Sequence, residues 1–161
     1  MQKTLAKCTS TLEGTSLHTG QTVKLIIKPA EPNTGFKFRR IDLPDKPFLD
    51  ASAAKVQSVE RATTIADGAV KVHTVEHILS ALTGMGVDNA IIEMDANEPP
   101  IGDGSALPYV EMIKKAGIVE QNAPLKVWEI REPIMVENKN GSTIVIMPSR
   151  DFRISLTAVG P

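Results

Sequence analysis

A single cysteine, Cys8, stands among 161 residues, so no intrachain disulfide forms. No strand-turn-helix context surrounds it, and Cys8 reads as a strand residue rather than a nucleophile. Aromatic residues make up only 4%, which excludes a base-stacking platform. Neither sign of charge is in excess: 18 Lys and Arg against 19 Asp and Glu leave a formal net charge of -1 and no electrostatic footprint for nucleic acid. No apolar run approaches the roughly 18 residues of a membrane span, and no N-terminal segment has signal-peptide character, so the cytoplasm is the expected compartment. Low-complexity tracts and tandem repeats are also absent. What remains is ordinary globular composition, 42% hydrophobic and 23% charged. The length suits one domain, or one small domain plus part of another.

The first forty residues read as antiparallel strands on short loops. "TLAKCTSTLEG" is strand-like up to Gly14, "SLHTG" is a turn, and "TVKLIIKPA" is a strand closed by Pro29. "FKFRRIDL" comes after another turn, with Arg39 and Arg40 on a solvated face. Strand-like pieces recur at 56–59 and 62–65, and "ADG" turns the chain into "AVKV". The period then changes. Val75, Ile78, Leu79 and Leu82 mark one apolar helical face that begins at Thr74 or Val75 and stops at Gly84 and Gly86. "DNAIIEMDA" predicts a strand, and "LPYVEMIKKAG" a second short helix ended by Gly117. Between them "NEPPIGDGSA" is a loop in which Asp103 or Ser105 caps that second helix. "QNAP" at 121–124 predicts a boundary. Beyond it, "LKVWEIREPIMVE" and "STIVIMPS" flank Asn140-Gly141 as a hairpin, and "DFRISLTAVG" predicts one more strand.

Chemistry concentrates in His73-Thr-Val-Glu76-His77. Zinc takes neutral imidazole nitrogens, and a neighbouring glutamate can act as general base toward a water. The spacing matches the inverzincin pattern, in which His73 and His77 would share one helical face. The strand-like "AVKV" before His73 argues against that, because it puts His73 ahead of the helix. The plain alternative is a helix start with a polar first turn, where the dipole favours Glu76.

"GTSLHTG", "KPAEPNTGFKFRRIDL", "HTVEHILSAL" and "PPIGDGSALPYVEMIKKAGI", in this order, resemble the UDP-3-O-acyl-N-acetylglucosamine deacetylase family, the zinc enzymes of lipid A biosynthesis. The motifs L-H-T-G, T-V-E-H and P-I-x-D-G-S stand here as Leu17–Gly20, Thr74–His77 and Pro100–Ser105. The resemblance covers essentially the whole chain. It implies an α+β fold: an antiparallel-rich sheet with two helices packed on one face over residues 1–124. The opening strands of a second, similar domain would occupy 125–161.

By the same resemblance Glu76 is the general base, His77 a Zn2+ ligand, and His18 a substrate contact, the alternative for His18 being a turn residue bonded to local backbone. His73 stands where the family often has serine, and so has no family role. The family draws its remaining ligands, a histidine and an aspartate, and a histidine general acid from its second domain. The only histidines here are His18, His73 and His77, so that set is not completed within this sequence. The expectation is a truncated form, inactive alone, whose partners are the UDP-3-O-acyl-glucosamine substrate and a missing C-terminal domain. Its unfinished strands would invite self-association. The competing functions are an inverzincin-type metallopeptidase and a non-catalytic binding module.

Overall fold

The computed structural model describes residues 1–158, and its contacts divide the chain into two compact units, Met1–Leu125 and Lys126–Pro161. Positions 159–161 of the expected second domain lie outside the described residues. The first unit runs β1 (Lys3–Leu5), β2 (Leu12–Thr15), β3 (Thr22–Pro29), β4 (Phe36–Arg40), β5 (Phe48–Asp50), β6 (Val56–Ser58), β7 (Thr64–Asp67), β8 (Val70–Val72), α1 (Glu76–Gly84), β9 (Ala90–Met94), α2 (Leu107–Ala116) and β10 (Ile118–Glu120). Its main sheet has the order β2-β3-β9-β4-β5, antiparallel except where β4 runs parallel to β9. β6, β7 and β8 form a separate antiparallel sheet, and β1 pairs with β10. The fold is α+β.

Strand period puts the core on one face of the main sheet. Val23, Leu25 and Ile27 of β3 are fully buried, while Thr22 and Lys24 on the other face are exposed and Ile26 is half-buried. Ala90, Ile92 and Met94 of β9 and Phe38 of β4 extend the same layer. Ile78, Ala81 and Leu82 of α1 and Tyr109, Met112, Ile113 and Ala116 of α2 join it in one apolar cluster. Both helices therefore cover the same sheet face. The opposite face is charged: Glu93 pairs with Lys28 and Arg39, and Lys37 with Asp50.

Several sequence expectations change. "TLAKCTSTLEG" is two strands, because β1 pairs with β10 and β2 with β3. Thr9 stands between them, its N–H donating to the Ile27 carbonyl and its hydroxyl accepting the Ile27 N–H. That reciprocal pair satisfies β3 where a strand would otherwise run on, and leaves Cys8 exposed outside any strand. Arg40 is not solvated. It is 7% exposed, grips Asp42 through Nε and Nη2, and donates from Nη1 to the Lys71 carbonyl. The Arg40 guanidinium holds the Asp42 carboxyl below its ordinary value. Arg39 does lie on the charged face, stacked on Phe48 at 4.9 Å. The short β5 and β10, three residues each, carry no readable alternation.

In the second unit, β11 (Ile134–Glu137) and β12 (Thr143–Ile146) form the expected hairpin, with Gly141 at φ 78° in its loop. The further strand expected at 151–160 does not form over its described residues, since no neighbouring ladder takes its backbone groups there.

Candidate functional site

α1 begins at Glu76, one or two residues later than its apolar periodicity implies, because Thr74 and Val75 are held elsewhere. The Val75 N–H donates to the Thr63 carbonyl, and the Thr63 N–H donates to Glu76 Oε2 at 3.0 Å. Thr74 has φ 53°, a left-handed backbone that β-branched residues rarely adopt. The His73 N–H donates to the Asn97 carbonyl at 2.8 Å. The chain thus enters the helix through a fixed corner rather than a gradual turn.

This corner sorts the motif. The buried stripe of α1 is Ile78, Ala81 and Leu82, so the half-buried Glu76 and His77 lie off it. Glu76 Oε1 and the His77 imidazole have no hydrogen-bond partner among the described residues. His73 precedes the helix, and its Nδ1 lies 2.9 Å from the Thr64 hydroxyl. The face-sharing that an inverzincin site needs from His73 and His77 is therefore missing.

His18 sits in the turn between β2 and β3 with an exposed side chain. Gly20, at φ 66°, lets that turn close from Ser16 to Gln21. The His18 N–H reaches both oxygens of Glu98 at 3.1 Å, and the Thr19 N–H reaches Oε2 at 2.8 Å. The Thr74 hydroxyl donates to Glu98 Oε1 at 2.7 Å. So the His18 turn and the mouth of α1 meet on one carboxylate, and the His18 amide bonds that distant side chain rather than local backbone. Nothing in the sequence marks Glu98: it lies in a proline-rich loop where no periodicity applies.

The loop bearing Glu98 is itself fastened. Ser16 Oγ donates to the Glu98 carbonyl, and the Ile101 N–H to the Thr15 carbonyl. Gly14 permits this approach, since a Cβ there would lie 3.3 Å from Pro100 Cβ. The buried Tyr109 hydroxyl donates to the Pro100 carbonyl, and burial pushes its phenol well up. The N-cap residue of α2 is Ala106, which offers no side-chain bond. Ser105 acts one position early, its Oγ accepting the Leu107 N–H, and Asp103 in turn accepts from Ser105.

Burial would push the Glu98 carboxyl up, but the Thr74 hydroxyl and the Thr19 and His18 amides outweigh it and hold the group below its ordinary 4.5. A folded value below the unfolded one means the stabilisation is fully present above about pH 4.5 and is lost as pH falls through the folded value. Urea denaturation at pH about 6 and about 3 should show this share of acid destabilisation shrinking in Glu98→Gln. An unchanged pH difference in the variant would contradict it.

Among the described residues, no three His, Cys, Asp or Glu side chains converge as a metal site. Catalytic zinc takes about three protein ligands. The described residues offer the His77 imidazole and do not by themselves fit the ion.

A family model for UDP-3-O-acyl N-acetylglycosamine deacetylase (LpxC) matches residues 2–159. The chain is 47% identical over 144 residues to UDP-3-O-acyl-N-acetylglucosamine deacetylase of Saccharophagus degradans, covering 89% of this chain and 47% of that protein. The enzyme of the same name from Legionella pneumophila is 46% identical over 144 residues, with the same coverage. The bifunctional enzyme LpxC/FabZ of Porphyromonas gingivalis is 40% identical over 151 residues, covering 93% of this chain and 33% of that protein. The chain spans about half the length of the first two relatives.

Proposed function

Because the chain belongs to the UDP-3-O-acyl N-acetylglycosamine deacetylase (LpxC) family, we propose that it carries the general base and one metal ligand of a hydrolase that deacetylates UDP-3-O-acyl-N-acetylglucosamine in lipid A biosynthesis. The reading rests on Glu76 and His77 standing side by side at the start of α1, off its buried stripe. In the reaction a water oxygen bonds to the acetamide carbonyl carbon, the C–N bond breaks, and acetate and a free amine leave. The Thr63 N–H fixes Glu76 Oε2, and Oε1 is left to take the proton that the water sheds. Zinc, held by His77 together with ligands from outside the described residues, would polarise the carbonyl and lower the pKa of the attacking water. His18 contacts substrate from its exposed turn.

The proposal includes a cytoplasmic location, in keeping with a nucleotide-activated sugar as substrate. No helix among the described residues is long and apolar enough to cross a membrane. It also assigns residues 1–124 to a domain bearing the Thr74–His77 motif, and 125–161 to the start of a second one.

The test joins this chain to the C-terminal remainder of the Legionella pneumophila relative and monitors acetate release from UDP-3-O-acyl-N-acetylglucosamine. The reading expects zinc-dependent turnover from the chimera and none from the 161-residue chain alone. A folded, zinc-loaded chimera without turnover would refute it. Deacetylation by the chain alone would refute the incomplete ligand set, and zinc-free binding of the UDP-sugar without turnover in either form would favour the binding module.

Self-association is a second part of the proposal. In the hairpin of β11 and β12, Ile134, Met135, Val136, Ile144, Val145 and Ile146 are all exposed. A lone two-stranded hairpin is marginal, and apolar edges invite pairing with another chain. Sedimentation should show mass rising with concentration for the full chain and not for residues 1–124. Monomeric behaviour at high concentration would contradict this.

A further inference from the structure

We propose that Glu98 is a positioning residue: its buried carboxylate ties the His18 turn to Thr74 and so sets where the first turn of α1 presents Glu76 and His77. Only the catalytic consequence of that positioning rests on the function proposed above.

Glu98 is 0% exposed, and no cation pairs with it among the described residues. A buried, unpaired carboxylate is costly unless its lone pairs are filled. Here they are filled by donors from two separate places in the sequence. The consecutive amides of His18 and Thr19 form a small anion cradle, and the Thr74 hydroxyl closes the other side. Ser16 holds the backbone of the same residue through its carbonyl. One side chain thereby bridges the β2–β3 turn and the entry to α1.

Thr74 shows what the bridge does. Its left-handed backbone persists only where the surroundings over-determine it. The bonds on either side, His73 N–H to Asn97 and Val75 N–H to Thr63, fix the chain before and after it, and the Glu98 bond fixes the residue itself. If Thr74 relaxes toward an ordinary conformation, the chain direction into Glu76 changes. The Thr63 amide would then lose Glu76 Oε2. The neighbouring His77 turns with the same helical start.

Two substitutions test this by amide hydrogen exchange on the full chain, with no need of activity or metal. Glu98→Gln leaves a single acceptor oxygen for the three donors that now share two. Exchange at His18, Thr19 and Thr63 should quicken by about tenfold or more, while Ile92 and Ile113 in the core keep their protection. Thr74→Val keeps the carboxylate and its cradle and removes only the hydroxyl. Exchange at Thr63 should quicken and the His77 imidazole resonances should shift, with His18 and Thr19 still protected. An unchanged Thr63 amide and unchanged His77 resonances in Thr74→Val would overturn the proposal, leaving Glu98 as a fastener of its own turn. Should Glu98→Gln fail to fold, Thr74→Val alone decides it. If these amides respond as expected while a Glu76 variant retains full turnover in the chimera, the assignment of the base fails and the positional inference stands.

Discussion

Replacing Glu76 with Gln in the chimera lowers kcat by about 10²–10⁴, the usual contribution of a positioned general base. Gln has nearly the shape of Glu and retains a carbonyl oxygen, so it can still accept the Thr63 N–H that now reaches Oε2. It has no oxygen able to take a proton at neutral pH. The loss therefore falls on kcat, with KM and zinc content near their starting values. Glu76 is half-buried at the first position of α1, off the apolar stripe, so the change leaves the core intact. Wild-type turnover in Glu76→Gln, or a loss confined to KM, would contradict its role as the base.

The largest effect on stability comes from Phe38→Ala. Phe38 is 0% exposed and sits on β4 between two neighbours, opposite Ile92 of β9 and Leu49 of β5. Truncating a buried phenylalanine costs about 3–5 kcal/mol, since the site collapses only partly around the void. Against the roughly 5–15 kcal/mol that holds an ordinary domain, that is a large fraction. Phe48 is the control. It is 48% exposed and stacks on Arg39, so Phe48→Ala should cost nearer to about 1 kcal/mol. Urea midpoints measured at constant m-value separate the two. Equal losses at Phe38 and Phe48 would show that the apolar layer has been assigned to the wrong face of the sheet.

The parts of the fold legible in sequence are those whose side chains repeat. β3, β9 and the two helices show their period because alternate or every third and fourth residues enter one core. β1 and β2 read as one strand, since alternation carries through the bend at Ala6 and Lys7 and the Thr9 side-chain bond to Ile27 leaves no trace in periodicity. Arg40 reads as solvated for a related reason. It continues the buried register of Phe38, and charge suggests solvent unless Asp42 and the Lys71 carbonyl are known to wait there.

The candidate site divides in the same way. Glu76 and His77 are legible because adjacent acid and imidazole at a helix start form a recognisable motif, and the strand-like approach to His73 separates it from them. Glu98 is invisible. Its role comes from three donors contributed by His18, Thr19 and Thr74, residues distant in sequence that only the folded chain brings together.

The most direct measurement is zinc affinity of the chimera with each motif histidine removed in turn. His77→Ala should weaken zinc binding by more than about 100-fold, beyond the loss typical of residues that merely support a ligand. His73→Ala should leave it near the starting value, because its Nδ1 already faces Thr64 and it lies ahead of α1. Unchanged zinc affinity in His77→Ala, or its collapse in His73→Ala, would contradict the account at its centre.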